Sequence, residues 1–163
     1  MGIHAMDLAP ISGGEYGEHL RTGSAVVVVG FDGSPASRDA VRYAVKRVGT
    51  NGRLIAVHVA GPGQWWFGSP SYQPEREDYQ SAANALLSDV RGQVPEDVKL
   101  ETSIVEGSPP SALMQVAREQ HAAEIVVGAH GSDPSTRGLG NVPLALLEGC
   151  DRPVVVVPCE DGS

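Results

Sequence analysis

The sequence predicts an α/β protein with a single open parallel sheet of five strands and helices on both faces. Two observations carry this prediction. Short runs of β-branched residues alternate with amphipathic segments of helical period, which is the pattern of repeated βαβ units. Most of these runs are apolar at every position, as in strands that are covered on both faces. A length of 163 residues fits one domain with a full core.

The first strand and helix are marked at both ends. Residues 25–31 form a continuous apolar run, and Ser34 and Pro35 then supply an N-cap and a first-turn proline. Gly49 is expected to end the helix. Its apolar residues recur at helical spacing: Val41, Ala44, Val45 and Val48. The segment therefore predicts one complete strand–loop–helix unit.

The second unit contains a long loop between its strand and its helix. The strand covers residues 53–59, and the loop covers residues 61–74. Trp65 and Trp66 lie in this loop, either as a lid or partner surface or as a hydrophobic plug beneath it. The helix that follows is strongly amphipathic, with apolar residues at Tyr79, Ala82, Ala83, Leu86, Leu87 and Val90.

The third strand differs from the others because its residues alternate. Leu100, Thr102 and Ile104 face one way and more polar neighbours the other, which predicts a half-exposed strand at an edge of the sheet. Ser108 and Pro109 then begin the third helix.

The last part of the chain completes the alternation, and the first part lies outside it. Four segments follow the third helix: a buried strand at residues 125–127, a glycine-rich loop at residues 128–140, a short helix from about Val142 and a strand at residues 154–157. Residues 1–23 lack apolar periodicity and are expected to form a flexible tail, which leaves residues 24–160 as the domain.

Composition narrows the classes of partner. The formal net charge is −8 and the 12 Lys and Arg residues are scattered, which argues against nucleic acids and anionic membranes. No apolar stretch approaches the roughly 20 residues of a membrane span, and we find no secretion signal. Cys150 and Cys159 flank an extended strand, so we expect two free thiols. Two free thiols fit a reducing compartment.

Two loops are expected to form a binding site. Residues 31–34 follow the first strand and residues 128–140 follow the fourth, so both lie at carboxyl ends. If the two strands are neighbours, the loops face each other across one cleft, where open α/β sheets bind ligands. Backbone N–H groups of a glycine-rich loop and of a helix N terminus favour phosphate.

Several of these motifs, in this order, resemble the universal stress protein family. They are residues 26–34, Val57-His-Val59, Glu106-Gly-Ser-Pro109, residues 125–131 and residues 153–158. The resemblance covers residues 24–158 and implies a Rossmann-like sheet of order 3-2-1-4-5, similar to that of adenine nucleotide alpha hydrolases. It also implies a homodimer, a cytoplasmic role under stress and, in one subgroup, bound ATP.

The ATP-binding subgroup has the pattern Gly-x2-Gly-x9-Gly-Ser/Thr, from which this chain departs. Gly128 and Gly131 match the first half, but Gly140 follows after eight residues and Asn141 replaces the hydroxyl residue. A single deletion in a loop has a small entropic effect, and Asn is a good N-cap. Pro143 weighs against binding because it removes a backbone N–H from the first turn. Asp133 adds a negative charge to the same loop, and Arg137, the only Lys or Arg in the sequence of this loop, could offset that charge.

The resemblance also implies roles for individual residues. Asp32, next to Phe31, and the backbone of Val57 would hold the nucleoside. The phosphates would be held by Gly128, His130, Gly131, Gly140, Asn141 and Val142. From the residues alone, Asp32 could instead satisfy backbone N–H groups of its own turn, Val57 could pack in the core, and the glycines could be turn residues with positive φ.

The two histidines near these motifs receive modest roles. We interpret His58 as a hydrogen-bonded histidine of the sheet and not as a ligand. The resemblance implies that His130 lies against the phosphates mainly through its backbone, so its imidazole is given no catalytic role.

The sequence therefore predicts an ATP-binding regulatory module with at most slow hydrolysis, with ATP present alone or with Mg²⁺. A Walker motif and the dinucleotide fingerprint are both missing. The alternative is a nucleotide-free stress protein that acts through protein partners. An apolar strand at Val154, Val155, Val156 and Val157 would be hazardous at an open edge, so we expect a homodimer through this strand.

Overall fold

The computed structural model describes residues 25–49, 51–60, 76–131 and 138–159. For residues 76–79 it describes the backbone alone. Strands and helices alternate within these ranges. The strands are β1 (Val26–Gly30), β2 (Arg53–Ala60), β3 (Lys99–Glu106), β4 (Glu124–Gly128) and β5 (Val154–Val157). The helices are α1 (Pro35–Val48), α2 (Arg76–Gln93), α3 (Pro109–Glu119) and α4 (Asn141–Gly149).

All five strands lie in one parallel sheet with the order β3-β2-β1-β4-β5, which confirms the expected class and order. Val28 of β1 lies level with Ile55 of β2 and Ile125 of β4. The strand order reverses direction between β1 and β4. The carboxyl ends of these two strands therefore border the crevice in which such sheets bind ligands.

Helices cover both faces of the sheet. Val27 and Val29 pack with α1 and α2 on one face, and Val28 packs with α3 and α4 on the other. Alternate residues of β1 thus enter two different cores, which explains why the strand is apolar at every position. All three valines are fully buried.

The predicted ends of α1 are confirmed. Ser34 is the N-cap, and its hydroxyl oxygen accepts a hydrogen bond from the Ser37 N–H at 3.1 Å. Gly49 has φ 63°, so it ends the helix in a conformation that a glycine adopts without strain. Ser108 occupies the N-cap of α3 without a side-chain capping bond, and Pro109 begins that helix.

A partly buried ion pair joins α1 to β4 at the amino edge of the sheet, opposite the predicted site. Arg47 donates two hydrogen bonds to the Glu124 carboxylate, at 3.1 and 3.2 Å. The hydrogen bond to Glu124 raises the pKa of Arg47, against the opposing effect of burial. The side chain of Glu124 is only 2% exposed whereas that of Arg47 is 37% exposed, so the carboxylate is the partner that depends on the pair.

The two edge strands differ in composition. β3 is half exposed and lies at one edge, as its alternation predicted. The four valines of β5 are half-buried at the other edge, where the sequence pattern suggested a strand covered on both faces. Cys150 and Cys159, which flank β5, do not form a disulfide. In the part of the chain that the structure describes, no helix is long and apolar enough to cross a membrane.

Candidate functional site

The turn after β1 is held by its own hydrogen bonds. Asp32 Oδ1 accepts the N–H of Ser34 at 2.9 Å, which confirms that the carboxylate stabilises its turn. Phe31 is buried, its N–H donates to Val57 O at 2.9 Å, and its own carbonyl accepts from His58 Nδ1 at 2.9 Å. The side chain of Phe31 is therefore part of the core, and Asp32 is the first residue whose side chain lies beyond the sheet.

The glycine at position 33 is explained by its backbone conformation and by the helix packed against it. Its φ is 81°, and a Cβ at this position would lie 2.6 Å from Leu86 Cδ2 of α2. A side chain here would be strained and would also collide with α2. α2 therefore packs directly beneath the turn that carries Asp32.

Of the loop residues that the structure describes, Gly131 approaches this turn. A Cβ on Gly131 would lie 3.0 Å from Asp32 Oδ2. The second oxygen of the Asp32 carboxylate, whose first oxygen bonds Ser34, thus lies beside the backbone of the loop. The structure brings together the two segments that the sequence placed on opposite sides of one cleft.

The two ends of the loop are joined at its base. The Gly140 N–H donates to Ala129 O at 2.7 Å, and a Cβ on Gly140 would lie 3.3 Å from His130 Cα. Gly140 is therefore a glycine because the returning chain passes close to the outgoing one. The half-buried His130 lies at this crossing.

Gly128 is explained by packing against a helix. A Cβ on Gly128 would lie 2.7 to 2.9 Å from three atoms of Ala36, two of them backbone atoms. The start of α1 therefore lies directly on the end of β4. The sequence left these glycines as phosphate-binding or turn residues; at Gly128 and Gly140 the close neighbour is the protein itself. Ala36 carried no sequence signal for this contact.

The N terminus of α4 faces the same edge. Gly140 is the N-cap, without a side-chain capping bond, so the capping role considered for Asn141 is not observed. Asn141 and Val142 are the first two helical residues, where N–H groups lack intrahelical acceptors. Pro143 follows, is buried, and has no N–H to offer.

Val57 requires a correction. It pairs with Gly30 inside the sheet, it is buried, and its carbonyl is bonded to Phe31. Because Val57 lies level with the last residue of β1, it is still inside the sheet. Its backbone is therefore not presented to a ligand. Val59 lies two residues further along β2, past the end of β1. The motif Val57-His-Val59 contains both residues, and only the register of the strands distinguishes them.

His58 is the hydrogen-bonded histidine that the sequence suggested. It is buried, and its Nδ1 atom lies 2.9 Å from the carbonyl of Phe31. Because a carbonyl only accepts, Nδ1 carries the proton. Its contact connects β2 to the turn of Asp32, which gives it a positioning role and not a direct contact with a ligand.

Other predicted features lie outside the described residues. These are the tail at residues 1–23, Trp65 and Trp66, and the charged pair Asp133 and Arg137. Across the ranges that are described, no group of three His, Cys, Asp or Glu side chains forms a metal site.

Fold and site together define a class of protein. The chain is a doubly wound α/β domain whose loops meet at the switch point of the sheet, next to a helix N terminus that suits phosphate. The sequence model of the universal stress protein family matches residues 25–158. The chain therefore belongs to the universal stress protein family.

Individual relatives agree with this assignment. A universal stress protein of Mycobacterium tuberculosis is 35% identical over 135 residues, covering 80% of this chain and 47% of the relative. One from Mycolicibacterium smegmatis is 31% identical over 139 residues, covering 80% and 45%. The chain thus spans about half the length of these relatives.

Solved structures show the same fold. A universal stress protein in complex with cAMP has 27% identity and a TM-score of 0.60, over 84% of this chain and 98% of that one. An Arabidopsis thaliana family member with AMP bound has 20% identity and a TM-score of 0.59, over 84% and 93%. At that identity the second likeness concerns the fold alone.

Proposed function

We propose that this protein binds an adenine nucleotide where the carboxyl ends of β1 and β4 meet, and acts as a regulatory module of the stress response. The proposal depends on the close approach of the Asp32 turn and the glycine-rich loop, at 3.0 Å between Oδ2 and the Cβ position of Gly131. The cAMP complex of a relative with 27% identity supports an adenine nucleotide as the ligand. ATP, alone or with Mg²⁺, is the ligand we propose first.

Among the residues that the structure describes, two sets of backbone groups can contact the nucleotide. The N–H groups of Asn141 and Val142 are directed out of the first turn of α4, and helix N termini favour phosphate. On the opposite side of the site, the peptide N–H and C=O of Val59 point toward the β1 side of β2, as those of Val57 do, because alternate residues of a strand direct these groups the same way. β1 has ended at that level, so Val59 can face the base. The carboxylate of Asp32 can accept a hydrogen bond from a ribose hydroxyl.

A Mg²⁺ ion would be held mainly by phosphate oxygens, since this ion usually takes only one or two carboxylates and keeps several waters. Asp32 can supply one such carboxylate. We propose at most slow hydrolysis of ATP, measured as initial rates of phosphate release by the wild type and by Asp32→Ala. Equal rates in the two proteins would indicate a contaminating enzyme.

Calorimetric titration with ATP, with and without Mg²⁺, and with AMP and cAMP tests the binding proposal. Asp32→Asn keeps an acceptor for the Ser34 N–H while it removes the charge, so the turn is preserved. We expect it to weaken binding roughly tenfold or more, the effect of a lost charge-assisted hydrogen bond. Asp97→Asn makes the same charge change in an exposed turn at the amino edge, and should leave binding unchanged. No heat at millimolar concentrations of any of these nucleotides would refute the proposal.

The alternative is a nucleotide-free protein that acts through protein partners, and two observations favour it. Pro143 has no N–H in the first turn of α4, and the N–H of Gly140 is already bonded to Ala129. The helix therefore offers fewer donors than a phosphate site normally would. The titrations above separate the two functions.

We also propose that the protein is a cytoplasmic homodimer joined through β5. Two cysteines that form no disulfide fit a reducing compartment. The apolar edge formed by the four valines of β5 would be hazardous if left open, because an unpaired strand edge promotes aggregation.

A further inference from the structure

The hydrogen-bond ladder between β1 and β2 stops one bond early. Gly30 lies level with Val57, and the Phe31 N–H donates to Val57 O at 2.9 Å. In a regular parallel ladder the next bond runs from the Val59 N–H to the Phe31 carbonyl, because a residue of one strand bonds two residues of the other that are two apart. Among the described residues, no backbone hydrogen bond joins these two groups.

A side chain occupies the acceptor instead. His58 Nδ1 lies 2.9 Å from Phe31 O and donates its proton to it. The side chain of His58 leaves β2 on the same face as that of Ala56, which belongs to the core formed with α1 and α2. The Phe31 carbonyl is therefore bonded from one face of the sheet and not by the backbone of the neighbouring strand, and the ladder ends at Val57.

The early end of the ladder leaves the peptide groups of Val59 at the carboxyl edge of the sheet. They point toward the β1 side, as those of Val57 do, and β1 has already ended at Gly30. Val59 thus presents a donor and an acceptor in the same direction. Adenine carries the complementary pair on its Watson–Crick edge, the N1 acceptor beside the 6-amino donor, and proteins read bases through that edge. Guanine carries the reverse pair, a donor at N1 and an acceptor at O6.

We propose that His58 is a positioning residue that sets the preference of the site for adenine. Its imidazole holds the Phe31 carbonyl, so the Val59 N–H stays available to N1 of the base. Without the imidazole this buried carbonyl loses its donor, which is unfavourable. The N–H that a regular ladder brings to it is that of Val59, so the ladder grows by one bond and the site loses its donor. The contact with the base rests on the proposed function; the early end of the ladder does not.

A purely structural role for His58 has different consequences. If the imidazole only stabilised the turn, its loss would loosen Asp32 as well, and binding would weaken by the same factor for every nucleotide. The proposed role concerns one atom of the base. A nucleotide and its 1-deaza analogue, in which a C–H group replaces N1, therefore separate the two roles.

Two variants of matched shape test whether the N–H of the side chain is responsible. Asparagine has a nitrogen, Nδ2, where histidine has Nδ1, so His58→Asn can still donate to Phe31 O. Leucine has nearly the shape of asparagine but no donor, so His58→Leu cannot. Circular dichroism and urea unfolding show whether both variants fold. The ratio of two affinities measured on one protein does not depend on its folded fraction.

Amide hydrogen exchange, followed by NMR without nucleotide, tests the ladder itself. In the wild type and in His58→Asn, the Val59 N–H should exchange roughly tenfold faster or more than the Val57 N–H, which lies inside the sheet. In His58→Leu this difference should disappear. A wild-type Val59 N–H that exchanges as slowly as that of Val57, or a difference that persists in His58→Leu, overturns the proposal.

Calorimetric titration with ATP and 1-deaza-ATP, and with AMP and 1-deaza-AMP, tests the contact with the base. The wild type and His58→Asn should prefer each natural nucleotide roughly fivefold, the effect of one neutral hydrogen bond. His58→Leu should bind the nucleotide and its analogue alike. An unchanged preference in His58→Leu, or an asparagine variant that behaves like the leucine variant, overturns the proposal. A wild type that binds no nucleotide overturns the proposed function and the contact with the base, while hydrogen exchange still decides where the ladder ends.

Discussion

Replacing each of two glycines of the same loop by alanine should affect a different property of the protein, stability in one case and ligand binding in the other. A methyl group on Gly128 would lie 2.7 to 2.9 Å from Ala36, including two backbone atoms, so α1 or β4 has to move. A methyl group on Gly131 would meet Asp32 Oδ2 at 3.0 Å, and a carboxylate can rotate away. Gly128→Ala should therefore damage the fold, and Gly131→Ala should damage the site.

The magnitudes follow from these neighbours. Overpacking against rigid backbone lowers stability by about 1–3 kcal/mol, which corresponds to a decrease in Tm of roughly 2–10 °C for Gly128→Ala. Rotation of the Asp32 carboxylate by Gly131→Ala should lower stability by less than about 1 kcal/mol. The rotated carboxylate no longer accepts the same ligand hydrogen bond, so affinity for nucleotide should decrease roughly tenfold.

Urea unfolding and calorimetric titration, applied to both variants, measure the two effects separately. Gly92→Ala serves as the control, because nothing lies within 4 Å of a Cβ at this helical glycine of α2. Alanine there should stabilise the protein by about 0.5–1 kcal/mol. The reasoning is wrong if Gly128→Ala is as stable as the wild type, or if Gly131→Ala unfolds the protein as readily as Gly128→Ala does.

Three further predictions concern other parts of the fold. Arg47→Met should lower the free energy of unfolding in urea by about 3–5 kcal/mol, because it leaves the buried Glu124 carboxylate unpaired. Glu124→Gln leaves a half-exposed cation and should lower this free energy clearly less. Equal losses in the two variants would contradict the difference in burial between the partners. Ser34→Ala removes a capping bond and should lower the free energy of unfolding in urea by about 1 kcal/mol. Ser108→Ala loses no capping bond, so its effect on the same free energy should be smaller. With both native cysteines replaced by serine, Val155→Cys should form an oxidised dimer on a non-reducing gel if β5 pairs antiparallel with β5 of a second copy and Val155 faces its own counterpart, because the two facing Cα atoms are then about 4.5 Å apart. A cysteine one position earlier should not cross-link, and equal cross-linking would refute the register.

Most of the fold could be predicted from the sequence because its signals are local. Ser34 and Gly49 mark the ends of α1 through their own side chain and backbone conformation, and both roles are confirmed. The alternation around Thr102 placed β3 at an edge, which is also confirmed. Each of these signals lies within a few residues of the feature that it predicts.

The site could be predicted only in part, because its details depend on register and on distant neighbours. Whether Val57 or Val59 lies beyond the sheet depends on where β1 ends relative to β2, and the motif contains both residues. The contact of Gly128 with Ala36 joins residues 92 positions apart in the chain. No composition or spacing rule reports such contacts, so the sequence placed the glycine-rich loop after β4 but named Val57 of β2, whose carbonyl is already bonded within the sheet.

The glycines of this loop are weaker support for a nucleotide than their spacing suggests. Gly128 is required by the start of α1, and the chain crossing at the base of the loop leaves little room for a side chain at Gly140. Packing within the chain itself therefore accounts for Gly128 and favours a glycine at position 140. Gly131 differs, because its neighbour is a carboxylate at the sheet edge and not the core of the protein. The argument for a nucleotide therefore depends on Asp32 and Gly131, and on the first-turn N–H groups of α4 next to them.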